Sequence, residues 1–201
     1  MATNYRRLNL PKTPLKDNFT LSHTGEDMYY VLENVDEVIH DDLMYVFQKL
    51  KLKPNMVMIC ASNNTYRSVD NIWVHSDLYI KNQKYVRPIC GINYELGNTT
   101  SHIHWFDTSK SIEFFPIAID YTVNGIGYIK KPNESFPIGA KIIETVELTK
   151  DEHPILFRTE VAHGVAYKTD VSPRLMATIR FDIDDIPSWD KAIEIFTPYF
   201  I

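Results

Sequence analysis

The sequence predicts a mainly β protein whose strands form a sandwich or a barrel. After residue 56, short apolar runs alternate with turns of Gly, Pro, Asn and Asp at a spacing of roughly eight to twelve residues, as in such folds. The chain has 201 residues, 44% of them hydrophobic, which suits one sizeable core and excludes a disordered protein. No internal repeat is present, and we therefore expect a single domain over 1–201.

Charge and cysteine content narrow the class of protein. A net charge of −5 without a long charged run argues against a general nucleic-acid or membrane surface. No segment approaches the ~20 apolar residues of a membrane span, and residues 1–7 lack the apolar run of a signal peptide. Cys60 and Cys90 lie in apolar runs, where we expect buried thiols in a reducing compartment. These features predict a soluble, cytoplasmic protein.

The first quarter of the chain is predicted to hold an extended arm and the main helix. Residues 1–33 are polar, with a short strand expected over 27–32. The helix is predicted over 34–53, because apolar residues recur there at steps of three and four. Asn34 and Glu37 have the spacing of a capping box at its start, and Pro54 stops it.

Strands are predicted for most of the remainder, in a core over 56–182 that precedes a tail over 183–201. In the tail, Pro187 and Ser188 precede a short helix predicted over 189–196. The predicted core strands, in chain order, are 56–60, 72–80, 85–96, 101–106, 112–121, 126–129, 140–148, 155–161, 164–167 and 174–182.

A histidine and an aspartate stand two residues apart inside the apolar run 72–78. If that run is a strand, His75 and Asp77 point to the same face, since strand side chains alternate. An imidazole nitrogen beside a carboxylate oxygen supplies two of the three ligands of a site with two histidines and one carboxylate. The rest of the chain must supply the third ligand.

His163 is the best candidate for that third ligand. It ends an apolar run and precedes a glycine, a position that would also suit an ordinary strand-end turn. What distinguishes it is the strand 174–182, which follows after a turn. His23 and His153 lie in polar, loop-like stretches that indicate no ligand role, and His40 is expected to be solvated on the flank of the predicted helix.

The strand 174–182 carries two arginines on one face. Arg174 and Arg180 share that face with Met176 and Thr178, and an arginine in a half-buried sheet needs an anionic partner. A guanidinium binds a carboxylate through two parallel hydrogen bonds. A dicarboxylate co-substrate is therefore a natural partner for this strand.

In this order, the residues resemble a known family. His75-Ser76-Asp77, then His163 after 88 residues and Arg174 after a further 11, is similar to the iron(II)- and 2-oxoglutarate-dependent oxygenases. Their pattern is His-x-Asp/Glu, a distant His and a basic residue beyond it. The resemblance covers about residues 56–182 and is strongest to the small phage-type members. Their second half has a histidine close before a valine, then a polar turn, an arginine and a strand that ends Ile-Arg-Phe, as in segments 162–165 and 173–181 here.

The resemblance implies a fold and a set of roles. The fold would be a double-stranded β-helix (jelly roll) with the N-terminal helix packed outside and a short C-terminal helix. His75, Asp77 and His163 would bind Fe(II), with 2-oxoglutarate as the co-substrate. Arg174 would hold the distal carboxylate, with Arg180 as the alternative anchor. Strand alternation cannot choose between the two arginines, and we favour Arg174 because it is closer to His163 in the chain.

Further positions are assigned around this centre. Asn93 and Tyr94 would add a hydrogen bond to the co-substrate, although ordinary core packing competes as an interpretation of Tyr94. The activity implied is hydroxylation of a C–H bond, for which the protein supplies geometry and a dry pocket. The candidates for pocket walls are Trp73, Tyr79, His104 and Trp105.

Two other interpretations stay open. His102-Ile103-His104 matches the first metal motif of cupins, but Thr108 and Ser109 stand where a cupin needs its glutamate. A non-catalytic jelly-roll protein, such as a viral structural or binding module, would use the same fold without the chemistry. Hydrolase elbows, phosphate loops and dinucleotide motifs are absent from the sequence.

The sequence does not specify the primary substrate. Members of this superfamily hydroxylate protein side chains, metabolites or nucleic-acid bases. The acidic net charge of −5 argues against a nucleic-acid polymer, since phosphate binding uses Lys and Arg. We expect a small-molecule co-substrate and no membrane partner and, if the chain is viral, a place in the host cytoplasm.

Overall fold

The computed structural model describes most of the chain. Within the described residues the protein is mainly β, as predicted, with antiparallel sheets and a few short helices. No helix among the described residues combines the length and the apolar character needed to cross a bilayer. The described ranges are 3–17, 28–32, 34–62, 66–72, 74–81, 84–109, 119–123, 126–130, 140–169 and 174–201.

Within the described ranges, the strands, numbered in chain order, form three antiparallel sheets. The larger sheet has the order β1 (Tyr5–Arg7), β12 (Ile155–Arg158), β7 (Cys90–Glu95), β14 (Arg174–Phe181), β3 (Pro54–Ser62) and β2 (Met28–Leu32). The second sheet has the order β11 (Lys141–Leu148), β8 (Thr99–Asp107), β13 (His163–Thr169) and β4 (Tyr66–Arg67). The third has the order β6 (Lys84–Val86), β5 (Asp77–Lys81), β10 (Ile126–Lys130) and β9 (Ile119–Val123).

The central strands β7 and β14 divide their side chains between two faces. Successive strand residues point to opposite faces, so the apolar and polar sets of these strands separate. The apolar set belongs to the core that contains the helices: Ile92, Tyr94, Ala177, Ile179 and Phe181. The alternate positions form what we call the polar face of the larger sheet: Gly91, Asn93, Glu95, Arg174, Met176, Thr178 and Arg180.

The predicted helix over 34–53 is wrong as a single element. It is divided into α1 (Val35–Val38) and α2 (Asp41–Lys49), because Ile39 is extended with ψ 137°. Ile39 forms a β-bridge with Leu15, and the backbone N–H of His40 donates to the carbonyl of Pro14 at 2.9 Å. The N-terminal arm therefore pairs with the chain at the break, and the His40 side chain caps α2.

The short C-terminal helix predicted over 189–196 is confirmed. It is α3 (Trp189–Phe196), and the hydroxyl of Ser188 accepts a hydrogen bond from the backbone N–H of Lys191 at 3.1 Å. Phe181 of β14 lies between the two longer helices, with its ring centroid 5.3 Å from that of Phe47 and 5.9 Å from that of Phe196. Helices α2 and α3 thus cover the apolar face of the larger sheet.

A second core lies between the larger sheet and the second sheet. Trp105 of β8 is fully buried there, stacks on Tyr5 at 5.8 Å and donates its indole N–H to the carbonyl of Arg158 at 3.0 Å. This core contains side chains from both sheets, so the two sheets pack face to face. The buried members are Ile103, Trp105, Val146 and Leu148 from the second sheet, with Ile155 and Phe157 from the larger one.

Several predicted strand limits differ from those observed. The strand predicted over 72–80 begins only at Asp77, and the run 85–96 is split into β6 and β7. The run 155–161 ends as a strand at Arg158. Of the strand predicted over 112–121, residues 112–118 lie outside the described residues.

Cys90 provides a test of this packing. Its side chain is 2% exposed, and burial raises the pKa of its thiol to about 12, against an opposing effect of Arg180. Because the thiolate is the reactive form, we expect Cys90 to resist iodoacetamide at about pH 8 until the protein unfolds. Half-buried Cys60 is the internal comparison, with both labels measured by peptide mass spectrometry. Labelling of Cys90 at the same rate before and after denaturation would contradict the packing.

Candidate metal centre

Three side chains predicted as ligands converge on one point. His75, Asp77 and His163 each offer one ligand atom, and these atoms lie within 4.8 Å of one another. All three residues are buried, with exposed fractions of 7%, 5% and 3%. In the part of the chain that the structure describes, this is the only group of three or more His, Cys, Asp or Glu side chains able to hold a metal.

Backbone hydrogen bonds hold the three residues in place. The N–H of His75 donates to the carbonyl of His163 at 2.8 Å, and the N–H of His163 donates back to the carbonyl of His75 at 2.7 Å. The N–H of Asp77 donates to the carbonyl of Thr159 at 3.1 Å. His75 thus precedes β5 and pairs with β13, instead of sharing one strand with Asp77 as predicted.

The ring of His163 has a defined tautomer. Its Nδ1 lies 2.8 Å from the carbonyl oxygen of Val161, which only accepts, so Nδ1 carries the proton and Nε2 the lone pair. The edge of Phe157 meets this ring at a centroid distance of 5.5 Å, and the ring of His75 lies at 4.6 Å. A backbone carbonyl that orients a ligating histidine is a recurring feature of metal sites.

The carboxylate of Asp77 has two different neighbours. Its Oδ1 lies 3.6 Å from Nε2 of His75, and its Oδ2 accepts a hydrogen bond from Nη2 of Arg180 at 2.5 Å. One oxygen therefore faces the histidines while the other is held by a cation. Two imidazoles and a carboxylate fixed in this way are the donor set of mononuclear non-haem iron sites.

Arg180 is a buried cation at the edge of the centre. It is 4% exposed, and its guanidinium carbon lies 4.7 Å from the centroid of the Phe157 ring. Nε and Nη1, which carry three of its five N–H donors, have no hydrogen-bond partner among the described residues. A side-chain carbon at Gly91 would overlap Nη1, so a larger residue there would force the guanidinium to shift.

Arg174, the favoured anchor, already has partners within the chain. Its Nη2 lies 3.0 Å from Oε2 of Glu95, and its Nε donates to the hydroxyl of Ser101 at 3.0 Å. The guanidinium carbon also lies 4.8 Å from the centroid of the Tyr167 ring. Of the two predicted anchors, Arg180 is therefore the one that adjoins the metal-ligand group.

The polar face carries buried polar atoms that have no partner among the described residues. They belong to neighbouring positions, because Asn93 and Thr178 are opposite each other in the register of β7 and β14. Buried polar atoms are normally hydrogen-bonded, so this face suits a polar ligand. The atoms are Asn93 Oδ1, Glu95 Oε1, Thr178 Oγ1, and Nε and Nη1 of Arg180.

Tyr94 does not accompany Asn93 as predicted. It is 3% exposed and belongs to the core with the helices, on the opposite face of β7 from Asn93. Burial raises the pKa of its phenol. The assignment to the co-substrate is wrong because adjacent residues of a strand cannot point to one face.

His102 and His104 lie on the other face of β8 from the proposed ligands. Trp105 is opposite His163 in the strand register, so His104 points away from that pair. His104 contacts the hydroxyl of Thr145 at 2.8 Å, and burial, aided by the charge of His102, lowers the pKa of its ring. His102 pairs with Glu147 at 3.1 Å. His104 therefore does not face the proposed ligands, in contrast to its predicted place in the pocket wall. Within the described residues, no third metal ligand lies beside the cupin-like pair of His102 and His104.

The other predicted pocket residues have different positions. Trp105 is fully buried opposite His163, so it belongs to the core beside the centre. Tyr79 lies on β5 and is opposite Tyr128 of β10. Trp73 lies outside the described residues.

Sequence reasoning overlooked Glu95 and Gly91. Both have the same parity as Asn93 along β7, so the two-residue strand period was sufficient to assign them to one face. The pairing of Glu95 with Arg174, 79 residues away, gave no local signal.

Comparison with known proteins adds no family name, since no family model and no curated protein matches the chain.

Proposed function

We propose that this protein is an Fe(II)- and 2-oxoglutarate-dependent oxygenase that hydroxylates a substrate of unknown identity. The observation that carries the proposal is the convergence of His75, Asp77 and His163 within 4.8 Å, beside the buried guanidinium of Arg180. Iron bound with a 2-oxo acid and dioxygen supplies oxidative C–H chemistry.

The residues present fit an iron ion. His163 offers the lone pair of Nε2, because its Nδ1 is committed to the carbonyl of Val161. Asp77 offers Oδ1 while Oδ2 stays bound to Arg180. Three protein ligands leave other coordination positions for a co-substrate and dioxygen, as a 2-His-1-carboxylate site requires.

The polar face would hold the 2-oxo acid. Arg180 would bind the carboxylate at the metal end, because it adjoins Asp77 and has N–H donors without a partner among the described residues. Asn93 and Thr178 offer hydrogen bonds along the same face, and Arg174 lies at its far end for the distal carboxylate. The apolar residues around Trp105 would limit the access of water.

The fold proposed for this function is a double-stranded β-helix. Its first and last core strands, β3 and β14, are neighbours in the larger sheet, which continues through β7 and β12. Strands β8, β11 and β13 form the opposing sheet, and His75 bridges to β13. Two facing antiparallel sheets, in which neighbouring strands are far apart in the sequence, support a jelly roll. A non-catalytic jelly roll would share this fold but gives no reason to bury two histidines around a carboxylate.

Anaerobic titration with Fe(II) and 2-oxoglutarate tests the function. We expect the wild-type protein to develop the visible charge-transfer band of the bound pair, with both additions required. His104→Ala is a matched control, because this histidine lies on the opposite face of β8, and it should keep the band. Folded wild-type protein that develops no band would refute the proposal and favour the non-catalytic interpretation.

A further inference from the structure

Glu95 is a buried carboxylate that the proposed function does not use. Its side chain is 0% exposed, and its Oε2 accepts hydrogen bonds from both Arg174 and Ser101. Its Oε1 has no hydrogen-bond partner among the described residues. A buried carboxylate with one oxygen unsatisfied is costly and calls for an explanation.

Glu95 lies on the same polar face as the proposed co-substrate residues. It is opposite Met176 in the register of β7 and β14, one step of two residues beyond Asn93 and Thr178. Going from Arg180 along this face, Asn93 and Thr178 come first, followed by Glu95 with Arg174. The carboxylate of Glu95 thus binds the guanidinium that the distal end of a dicarboxylate would need.

We propose that Glu95 sets the co-substrate specificity of this site by competing with the distal carboxylate of a 2-oxo dicarboxylate for Arg174. This inference rests on the function proposed above. A 2-oxo acid with an uncharged chain does not pair with Arg174, so Glu95 does not affect its binding. 2-Oxoglutarate brings a second carboxylate to one guanidinium, and two carboxylates at one cation repel each other.

Proton uptake by Glu95 would relieve this repulsion. Burial raises the pKa of the Glu95 carboxyl, while Arg174 and Ser101 act in the opposite direction. Among the described residues, the charged group in contact with Glu95 is Arg174 from β14, and β8 contributes the neutral hydroxyl of Ser101. A neutral Glu95 would no longer repel the distal carboxylate and would donate a hydrogen bond to it. The affinity for 2-oxoglutarate should therefore rise as the pH falls.

Calorimetry on the full chain loaded with Mn(II), which binds without oxidative turnover, tests the inference. The ligands are 2-oxoglutarate and 2-oxopentanoate, which replaces the distal carboxylate by a methyl group. We expect Glu95→Gln to tighten 2-oxoglutarate binding about tenfold and to leave 2-oxopentanoate within about twofold. Adding Arg174→Gln to Glu95→Gln should cancel the gain.

The outcomes separate this inference from the function on which it rests. If wild-type protein binds neither acid, the proposed function fails and the inference fails with it. If both bind and Glu95→Gln weakens both equally, or leaves 2-oxoglutarate unchanged, Glu95 is structural and only the inference is overturned.

The wild-type protein provides a second measurement that needs no variant to fold. The ratio of the two affinities should shift toward 2-oxoglutarate as the pH is lowered, since burial raises the pKa of Glu95 and the carboxyl takes up a proton as the pH falls. An effect of pH on metal loading acts on both acids alike and cancels in the ratio. A ratio that shifts toward 2-oxopentanoate as the pH falls would contradict competition by Glu95.

Discussion

His163→Ala is expected to lower the affinity for divalent metal by about 100-fold or more, because it removes one of three protein ligands. The measurement is calorimetric titration of the folded protein with Mn(II), repeated with Fe(II) without oxygen. This histidine is a cleaner target than Asp77, whose removal would leave the buried charge of Arg180 unpaired and cost stability as well.

The control for this substitution is another imidazole in the same sheet. His104→Ala removes a ring from the opposite face of β8, so its metal affinity should match that of the wild type. Equal losses in the two variants would mean that metal binds elsewhere or nonspecifically. An unchanged affinity in His163→Ala would show that the converging side chains are not a metal centre.

Arg180→Met is expected to weaken binding of every 2-oxo acid by about 100-fold, because a buried charged hydrogen bond to ligand is worth several kcal/mol. Methionine retains much of the apolar stem of Arg180 and removes the guanidinium that lies over the Phe157 ring. Arg174→Met is the matched comparison on the same strand, and it should affect only acids with a distal carboxylate. The measurement is competition for the metal-loaded protein by 2-oxoglutarate and 2-oxopentanoate.

The metal affinity of Arg180→Met decides how that result is interpreted. If metal affinity is retained while both 2-oxo acids are lost, Arg180 binds the carboxylate at the metal end. A loss of metal affinity as large as the loss of the acids would show that Arg180 acts by positioning Asp77, and that the carboxylate is bound by another group.

The sequence could predict those parts of the fold that depend on local periodicity. The strand runs and α3 follow from alternation and capping within one segment, and their existence was predicted. The break at Ile39 could not be predicted in this way, because it depends on pairing with Leu15 in the distant arm. A helical stripe continues in the sequence across a break that tertiary contacts impose.

The candidate site shows the same division between local and distant signals. Residue order led to His75, Asp77 and His163, which the fold brings together, although by a β-bridge and not by one continuous strand. Strand parity, applied consistently, would have replaced Tyr94 by Glu95. The pairing of Arg180 with Asp77, 103 residues apart, required the packing of strands from different sheets.

The reciprocal hydrogen bonds between His75 and His163 have a thermodynamic consequence. Two of the three proposed ligands come from segments that are 88 positions apart in the chain and meet only in the native state. An ion that binds this set binds the folded chain alone, so it draws the unfolding equilibrium toward the native side. At a free metal concentration of 100 times Kd, this linkage adds about 2.7 kcal/mol of stability. The melting temperature would then depend on metal supply, and a chelator would act as a mild denaturant.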